Sequence, residues 1–247
     1  AQYLQTVKDN AREIREKVLK YLMVRRTRTE IARYFDFDLK KQNLKFPDVE
    51  NPEPLFYELN DTEDDVFNQT MDLISKQFKY SRYMPMLYFK GKVDQLEEQS
   101  QKNMGKFMKI LLVKRLESSF FAFKNSVDRF IYSYEMFIRE FEKGNVYVSK
   151  KHTNKIFELL ENDDDAAIQK LLDEEKAVRY NAGDFRADDE KNFFADLKSD
   201  LAILLRIKLL WQKIDRDPKL VKFIQQLAQN QTLKKNKLII FTESKET

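Results

Sequence analysis

Eight apolar side chains in the middle of the chain recur in alternating steps of four and three residues. They are Leu116, Phe120, Phe123, Val127, Phe130, Tyr134, Phe137 and Phe141. This heptad spacing places all of them on one face of an α-helix, where they must pack against a second helix. The seam predicts a single helix from about residue 93 to residue 143, ended by Gly144, with Gly105 as a kink or boundary. Between Met104 and Lys143 such a helix would be about 60 Å long, at about 1.5 Å per residue.

A second apolar seam identifies the expected partner of this helix, from about residue 188 to residue 214. Its members are Phe194, Leu197, Leu201, Leu204 and Trp211. Only 4 Gly and 5 Pro accompany 35% charged residues, a composition typical of long helices. The fold class predicted is therefore mainly α, a long antiparallel helical hairpin or bundle with a few short strands. Two shorter helices, near 152–162 and 164–177, are expected to follow a short strand at 146–149.

The remaining elements are shorter. Helices are predicted at 2–22 and, as a short helix, after Thr27 or Thr29. A further helix is predicted at about 60–79, where Thr62 and Asp65 have the spacing of a capping box. The last helix is predicted to begin at Pro218, with Asp217 as its cap. The prolines in 36–54 predict an extended connector. Residues 55–59 and 237–242 are expected to be strands, the second one apolar and β-branched like a buried parallel strand. Since no neighbouring strands follow it, the chain is expected to be cut there, with both strands exposed or at an edge.

Several chemistries are excluded by composition. The chain has no cysteine, one histidine and four isolated glycines, so thiolate chemistry, histidine triads and Gly-rich phosphate loops are absent. His152 lies in a polar stretch that predicts an exposed turn. The acidic run at 163–165 lacks the spacing of a Ca²⁺ loop and suits a helix N-terminus. We therefore predict no catalytic residue and no metal ligand. No apolar run reaches the roughly 20 residues of a membrane span, so no membrane partner is expected.

Two basic clusters are the candidates for binding. One is Arg25, Arg26 and Arg28, and the other is Lys114 and Arg115. Guanidinium groups suit paired contacts to phosphate or carboxylate, but ion pairs with nearby acidic residues such as Glu30, Asp36 and Asp38, or simple solvation, would explain them equally well. The net charge of +4 indicates little about binding partners, but the charged residues are unevenly distributed along the chain. Residues 102–129 contain seven basic and two acidic residues, and 158–200 contain fourteen acidic and six basic ones.

Four blocks in order resemble SWI/SNF-type superfamily 2 DNA-dependent ATPases, in particular their bacterial branch. They are LMVRRTRTEIARYF, PLFYELNDTEDDVFNQTMDLI, ILLVKRLESSFFAFKNSVDRF and DPKLVKFIQQLAQNQTLKKNKLIIFTESKET. The first is similar to the block that follows the first RecA-like lobe, and the last to the entry of the second lobe. The family's nucleotide-binding loop, Asp-Glu-x-His motif and arginine-finger motif do not occur in this sequence.

The resemblance implies a region between the two lobes of a double-stranded DNA translocase. It implies three parts: residues 1–59, the end of the first lobe and a connector; residues 60–230, a helical insertion; and residues 231–247, the start of the second lobe, whose first strand would be truncated. Duplex DNA would be the partner, through contacts of the first arginine cluster and, less directly, of Lys114 and Arg115, or these residues would couple the lobes. ATP and Mg²⁺ would belong to the parent protein, in a bacterial cytoplasm near the nucleoid. This region itself would not hydrolyse ATP.

A second function class explains the helical seam equally well. A stand-alone helical scaffold would bind protein partners through the same hairpin. It leaves the apolar segment at 237–242 without a neighbour, which is the feature that separates the two hypotheses.

Overall fold

The computed structural model describes residues 2–22, 27–47, 51–149 and 177–242. The predicted helices at 152–162 and 164–177, His152 and the acidic run at 163–165 lie outside the described residues. The chain divides into two compact units, residues 1–54 and 55–247. The division falls at Pro54, the last residue of the predicted connector, and residues 231–247 belong to the second unit.

The first unit is helical. α1 spans Gln2–Ile14 and continues through a π-helical turn, Arg15–Leu19, and a last turn, Lys20–Leu22, as predicted. α2 spans Arg28–Tyr34 and begins with a capping box between Thr27 and Glu30. The predicted connector is partly wrong, because α3 spans Asp36–Lys41. Acidic residues in the first turn of α3 and lysines in its last turn stabilise so short a helix against its dipole.

The second unit begins with α4, which spans Asp61–Asp72 and continues as a π-helical turn, Leu73–Gln77. Its capping box is made by Asn60 and Glu63 rather than by the predicted Thr62 and Asp65. The carboxylate of Glu63 reaches back to the Asn60 amide at 2.9 Å, whereas Asp65 accepts a hydrogen bond from Gln69 one turn further on. Two short 3₁₀ turns, Ser81–Tyr83 and Pro85–Tyr88, lead to the central helices.

The single long helix predicted for residues 93–143 is two helices. α5 spans Gln95–Ser118 and α6 spans Phe120–Glu142. Ser119 between them is extended, with φ −159° and ψ 140°, and its hydroxyl accepts the amides of Phe121 and Ala122 as the cap of α6. A helix of 23 residues is about 35 Å long, so α6 is shorter than the sequence predicts. Gly144 ends it with a left-handed φ of 86°, as expected.

Gly105 is not a helix boundary, because α5 continues through it. It is buried in the middle of the helix, and a Cβ built on it would collide with the side chain of Met84. The glycine therefore leaves room for the Met84 side chain against the backbone of α5.

The predicted antiparallel hairpin is confirmed. α7 spans Phe193–Trp211, and α6 packs along it in the opposite direction. The rings of Phe120 and Trp211 lie 4.6 Å apart at one end, and those of Phe141 and Phe194 lie 4.9 Å apart at the other. The predicted seam of α6 forms the core: Tyr134 and Phe123 are completely buried, and Phe141 is partly so.

Two short strands lie beside the helices. β1, Asn145–Ser149, pairs antiparallel with β2, Ala177–Asn181, in the register Tyr147 to Arg179. β1 covers the predicted strand, but β2 was not predicted. The chain then forms α8, Pro218–Gln229, with Asp217 as its cap as expected, and α9, Gln231–Lys235. Asp217 joins two helices, because its carboxylate accepts the amides of Leu220 in α8 and Phe120 in α6.

The two predicted strands at 55–59 and 237–242 are wrong as secondary structure. Both segments lack strand pairing in the structure. A strand requires hydrogen bonds to a neighbour, and the part of the chain that the structure describes brings no strand alongside either segment. The apolar side chains of the second segment lie exposed, with Ile239 76% and Phe241 90% accessible to solvent.

Candidate nucleic-acid interface

The predicted binding residues fall in both units. Arg25 and Arg26 lie outside the described residues. Arg28 is the first residue of α2, with Thr27 as the cap, and its side chain is exposed. Its guanidinium lies 5.9 Å from the centre of the Phe46 ring. Glu30, one of the proposed ion-pair partners, uses its carboxylate to accept the Thr27 amide at 2.8 Å.

Lys114 and Arg115 are neighbours on α5 but have opposite environments. Lys114 is exposed, whereas only 2% of Arg115 is accessible to solvent. Consecutive residues on a helix point about 100° apart, so one of a pair can face the core while the other faces water. As placed, the Arg115 guanidinium does not reach a DNA phosphate, and Lys114 is the member of this cluster that is available to a partner.

Other lysines of α5 extend this basic surface. Lys102 and Lys106 are exposed, and Lys109 donates to the Ser75 carbonyl oxygen at 2.8 Å. Between Gln99 and Leu116 the helix contains five basic residues and no acidic one. The uneven charge distribution of residues 102–129 was the signal in the sequence, but helical geometry was needed to separate the exposed lysines from the buried arginine.

The buried ionisable groups form structural clusters. Asp200 of α7 is completely buried and accepts hydrogen bonds from the amides of Lys79 and Ser81, at 2.7 and 2.8 Å, and from the hydroxyls of Ser81 and Tyr134, at 2.6 and 3.0 Å. Burial raises the pKa of Asp200 above its usual value, and these hydrogen bonds oppose that shift. Tyr80, between the two amide donors, has a left-handed φ of 60°. The carboxylate therefore holds the turn before α5 against α7.

A second buried carboxylate has an ionic partner. Glu63 is 3% accessible and makes two hydrogen bonds to the guanidinium of Arg216, each 2.8 Å long. These bonds lower the pKa of Glu63. The Arg216 side chain also donates to the carbonyl oxygen of Glu58 at 3.3 Å. The pair anchors the start of α4 to the end of α7 and offers no free acid or base for catalysis.

A cleft between α6 and α7 has a volume of about 230 Å³. Phe123 and Trp211 are among the apolar side chains that line it. At its rim the Lys124 ammonium donates to the Ile214 carbonyl oxygen, and Asp128 pairs with Lys208 at 2.8 Å. These rim groups are paired with each other or with backbone, so the cleft contains no poised nucleophile and base.

The described residues also bear on metal and membrane binding. They contain no group of three or more histidine, aspartate or glutamate side chains that could hold a metal ion. None of the described helices combines the length and apolar character needed to cross a bilayer. The exposed lysines of α5 give this part of the described surface a positive charge.

Comparison with known proteins adds no family to this description. The chain matches no protein-family model, no curated protein and no solved structure.

Proposed function

We propose that this chain is the helical region between the two RecA-like lobes of an ATP-dependent double-stranded DNA translocase. Its role would be to contact the DNA backbone and to couple the lobes, while ATP and Mg²⁺ bind elsewhere in the parent protein. This places it in a bacterial cytoplasm, at the nucleoid. The four ordered sequence blocks motivate the proposal.

One structural observation carries the proposal furthest. The run Leu238-Ile239-Ile240-Phe241 has the composition of a buried strand, yet its residues are 44%, 76%, 59% and 90% accessible to solvent. Four consecutive large apolar side chains in water are unfavourable, at about 25 cal/mol for each Å² of apolar surface. A parallel sheet supplied by a second lobe would bury this run and pair its backbone.

The gene sequence on both sides of this segment tests the proposal directly. A Gly-Lys-Thr/Ser loop and an Asp-Glu-x-His motif upstream, with a Gln-x-x-Gly-Arg-x-x-Arg motif downstream, would support it. An ordinary start codon just before Ala1 and a stop codon just after Thr247 would refute it.

The DNA contacts are tested by replacing Arg25, Arg26 and Arg28 with alanine together. Duplex binding should weaken for all DNA sequences, and the salt dependence of log K should fall by up to about 0.9 for each lost contact. Far-ultraviolet circular dichroism of the triple variant checks that its helix content is unchanged. Unchanged binding and salt dependence would exclude these arginines as phosphate contacts.

The alternative, a scaffold for protein partners, rests on a different surface. Beside the cleft, the outer face of the α6–α7 pair exposes Tyr132 and Leu209, each 61%, and Leu205, 41%. Exposed apolar side chains on a helix pair suit a third helix. Replacing Tyr132 and Leu209 with serine should abolish binding to such a partner and leave DNA binding unchanged.

A further inference from the structure

Four residues of α5 form a row on its solvent side. They are Lys102, Lys106, Ile110 and Lys114, spaced four residues apart. Residues at this spacing form a continuous ridge that is inclined by about 26° to the helix axis. All four are exposed, while Gln101, Met108 and Leu112 on the opposite side are buried. We call the three lysines of this ridge the lysine track.

The charges of the lysine track are only partly neutralised. Lys102 pairs with Glu98 at 2.5 Å, at the start of the ridge. Among the residues that the structure describes, Lys106 and Lys114 have no ion-pair partner. The unit also contains surface lysines that are paired: Lys143 pairs with Glu140 at 2.7 Å, and Lys208 pairs with Asp128 at 2.8 Å.

Two neighbouring lysines add positive charge, one beside the track and one at the C-terminal end of α5. Lys109 lies on the adjacent row and is held by the Ser75 carbonyl oxygen. At the C-terminal end of α5, the ammonium of Lys219 from α8 donates to the Glu117 carbonyl oxygen at 3.1 Å. Two acidic groups lie at this end, the exposed Glu117 side chain and the Asp217 carboxylate, which accepts the Phe120 amide. The track is therefore a predominantly basic strip on a rigid helix.

We infer that the lysine track binds the phosphate backbone of duplex DNA. This inference rests on the proposed function and extends its contacts to Lys102 and Lys106. The track is about 18 Å long, since it spans twelve residues at about 1.5 Å each. Ile110 is the one apolar residue of the ridge, which is too little for a membrane surface.

The test compares two double variants of the 247-residue chain. Lys106→Gln with Lys114→Gln removes two unpaired charges from the track. Lys143→Gln with Lys208→Gln removes the same charge from lysines that are already paired. Binding of a fluorescein-labelled 25-base-pair duplex is measured by anisotropy at several salt concentrations, and far-ultraviolet circular dichroism checks that all proteins are folded.

The expected result is a salt dependence of log K that is smaller by about 2 in the track variant and unchanged in the paired-lysine variant. Equal slopes in all three proteins, an equal loss in both variants, or no duplex binding by the unmodified chain would overturn the inference. Competition by polyglutamate as effective as that by unlabelled duplex would also overturn it, in favour of an acidic protein partner.

The lysine track and the proposed function can be refuted independently of each other. If the flanking gene encodes the ATPase motifs and the arginine variant loses DNA contacts, a track variant with normal binding refutes the lysine track alone. If the motifs are absent but the track variant loses two contacts, the inference stands and the translocase proposal fails.

Discussion

Replacing Asp200 with alanine is the most demanding test of how the helical unit is held together. This carboxylate has no solvent-accessible surface and serves four donors, two amides and two hydroxyls. No cation is among these hydrogen-bond donors. The negative charge is therefore compensated by hydrogen bonds to a turn and to α6 rather than by an ion pair.

The expected decrease in the free energy of unfolding follows from the hydrogen bonds that the four donors lose. In Asp200→Ala the hydroxyls of Ser81 and Tyr134 can turn to other acceptors, but the amides of Lys79 and Ser81 are fixed by the backbone. A buried donor without an acceptor costs about 1–3 kcal/mol. Relief of the desolvated charge offsets part of this loss, so we expect the free energy of unfolding to fall by about 3 kcal/mol. Asp200→Asn keeps the shape and one acceptor oxygen, and should cost less.

The pH dependence has a defined sign. Because burial raises the folded-state pKa of Asp200, its stabilising contribution is complete below the unfolded-state pKa of about 3.9. It decreases as the pH rises through the folded-state pKa. The difference in unfolding free energy between the unmodified protein and Asp200→Ala should therefore be largest in acid and become smaller at higher pH.

Urea denaturation measures these quantities. Trp211 is the single tryptophan of the chain and is buried in the same unit, so its fluorescence reports unfolding of that unit. Asp128→Ala is the matched control, because its carboxylate is 55% exposed and pairs with an exposed lysine, a contact worth at most about 1 kcal/mol. A loss for Asp200→Ala no larger than that of the control, or a difference that grows with pH, would refute the account.

Three further predictions use the same denaturation assay. Phe123→Ala should lower the free energy of unfolding by about 3–5 kcal/mol, because this ring is completely buried against the tryptophan. Phe121→Ala is the control and should lower it by less than about 1 kcal/mol, because the Phe121 side chain is 63% exposed. Equal losses would place the core elsewhere. Thr70→Val should lower the free energy of unfolding by about 1–3 kcal/mol, because it leaves the Trp211 indole N–H without an acceptor. In the unmodified protein this N–H donates to the threonine hydroxyl at 2.8 Å. An unchanged midpoint of urea denaturation would exclude that hydrogen bond. Glu63→Gln should lower the free energy of unfolding by about 2–3 kcal/mol at pH 7. This loss should disappear as the pH falls through the folded-state pKa of Glu63, which is lowered. A loss that persists in acid would show that the charge of Glu63 is not responsible for it.

Much of the fold could be predicted from periodicity and capping. The seam of α6, its antiparallel partner α7, the stop at Gly144 and the cap at Asp217 are local patterns, and each is confirmed. The break at Ser119 could not be predicted from the seam, because Leu116 and Phe120 keep their spacing across it. A serine occurs in helix interiors as well as at caps, and the structure shows that Ser119 is extended and caps α6.

The candidate interface shows a similar division. The sequence indicated the basic clusters, but it treated Lys114 and Arg115 alike. The structure separates them, because α5 turns one toward water and the other into the core. Lys106 was not singled out in the sequence, since an isolated lysine has no local signature, and only its place on an exposed ridge links it to Lys114.

What the sequence alone determined is the helical character of the chain, the helix pair that forms its core, and the absence of cysteine, histidine-cluster and Gly-rich-loop chemistry. These depend on residue type and on spacings of three and four, which are local properties. The tertiary structure decided which ionisable groups are buried and which cations face solvent, because burial depends on contacts between residues far apart in the chain, such as Ser81 with Asp200 and Glu63 with Arg216. It also decided that the apolar run at residues 238–241 is exposed, because a strand forms only where a second strand is available to accept and donate its backbone hydrogen bonds.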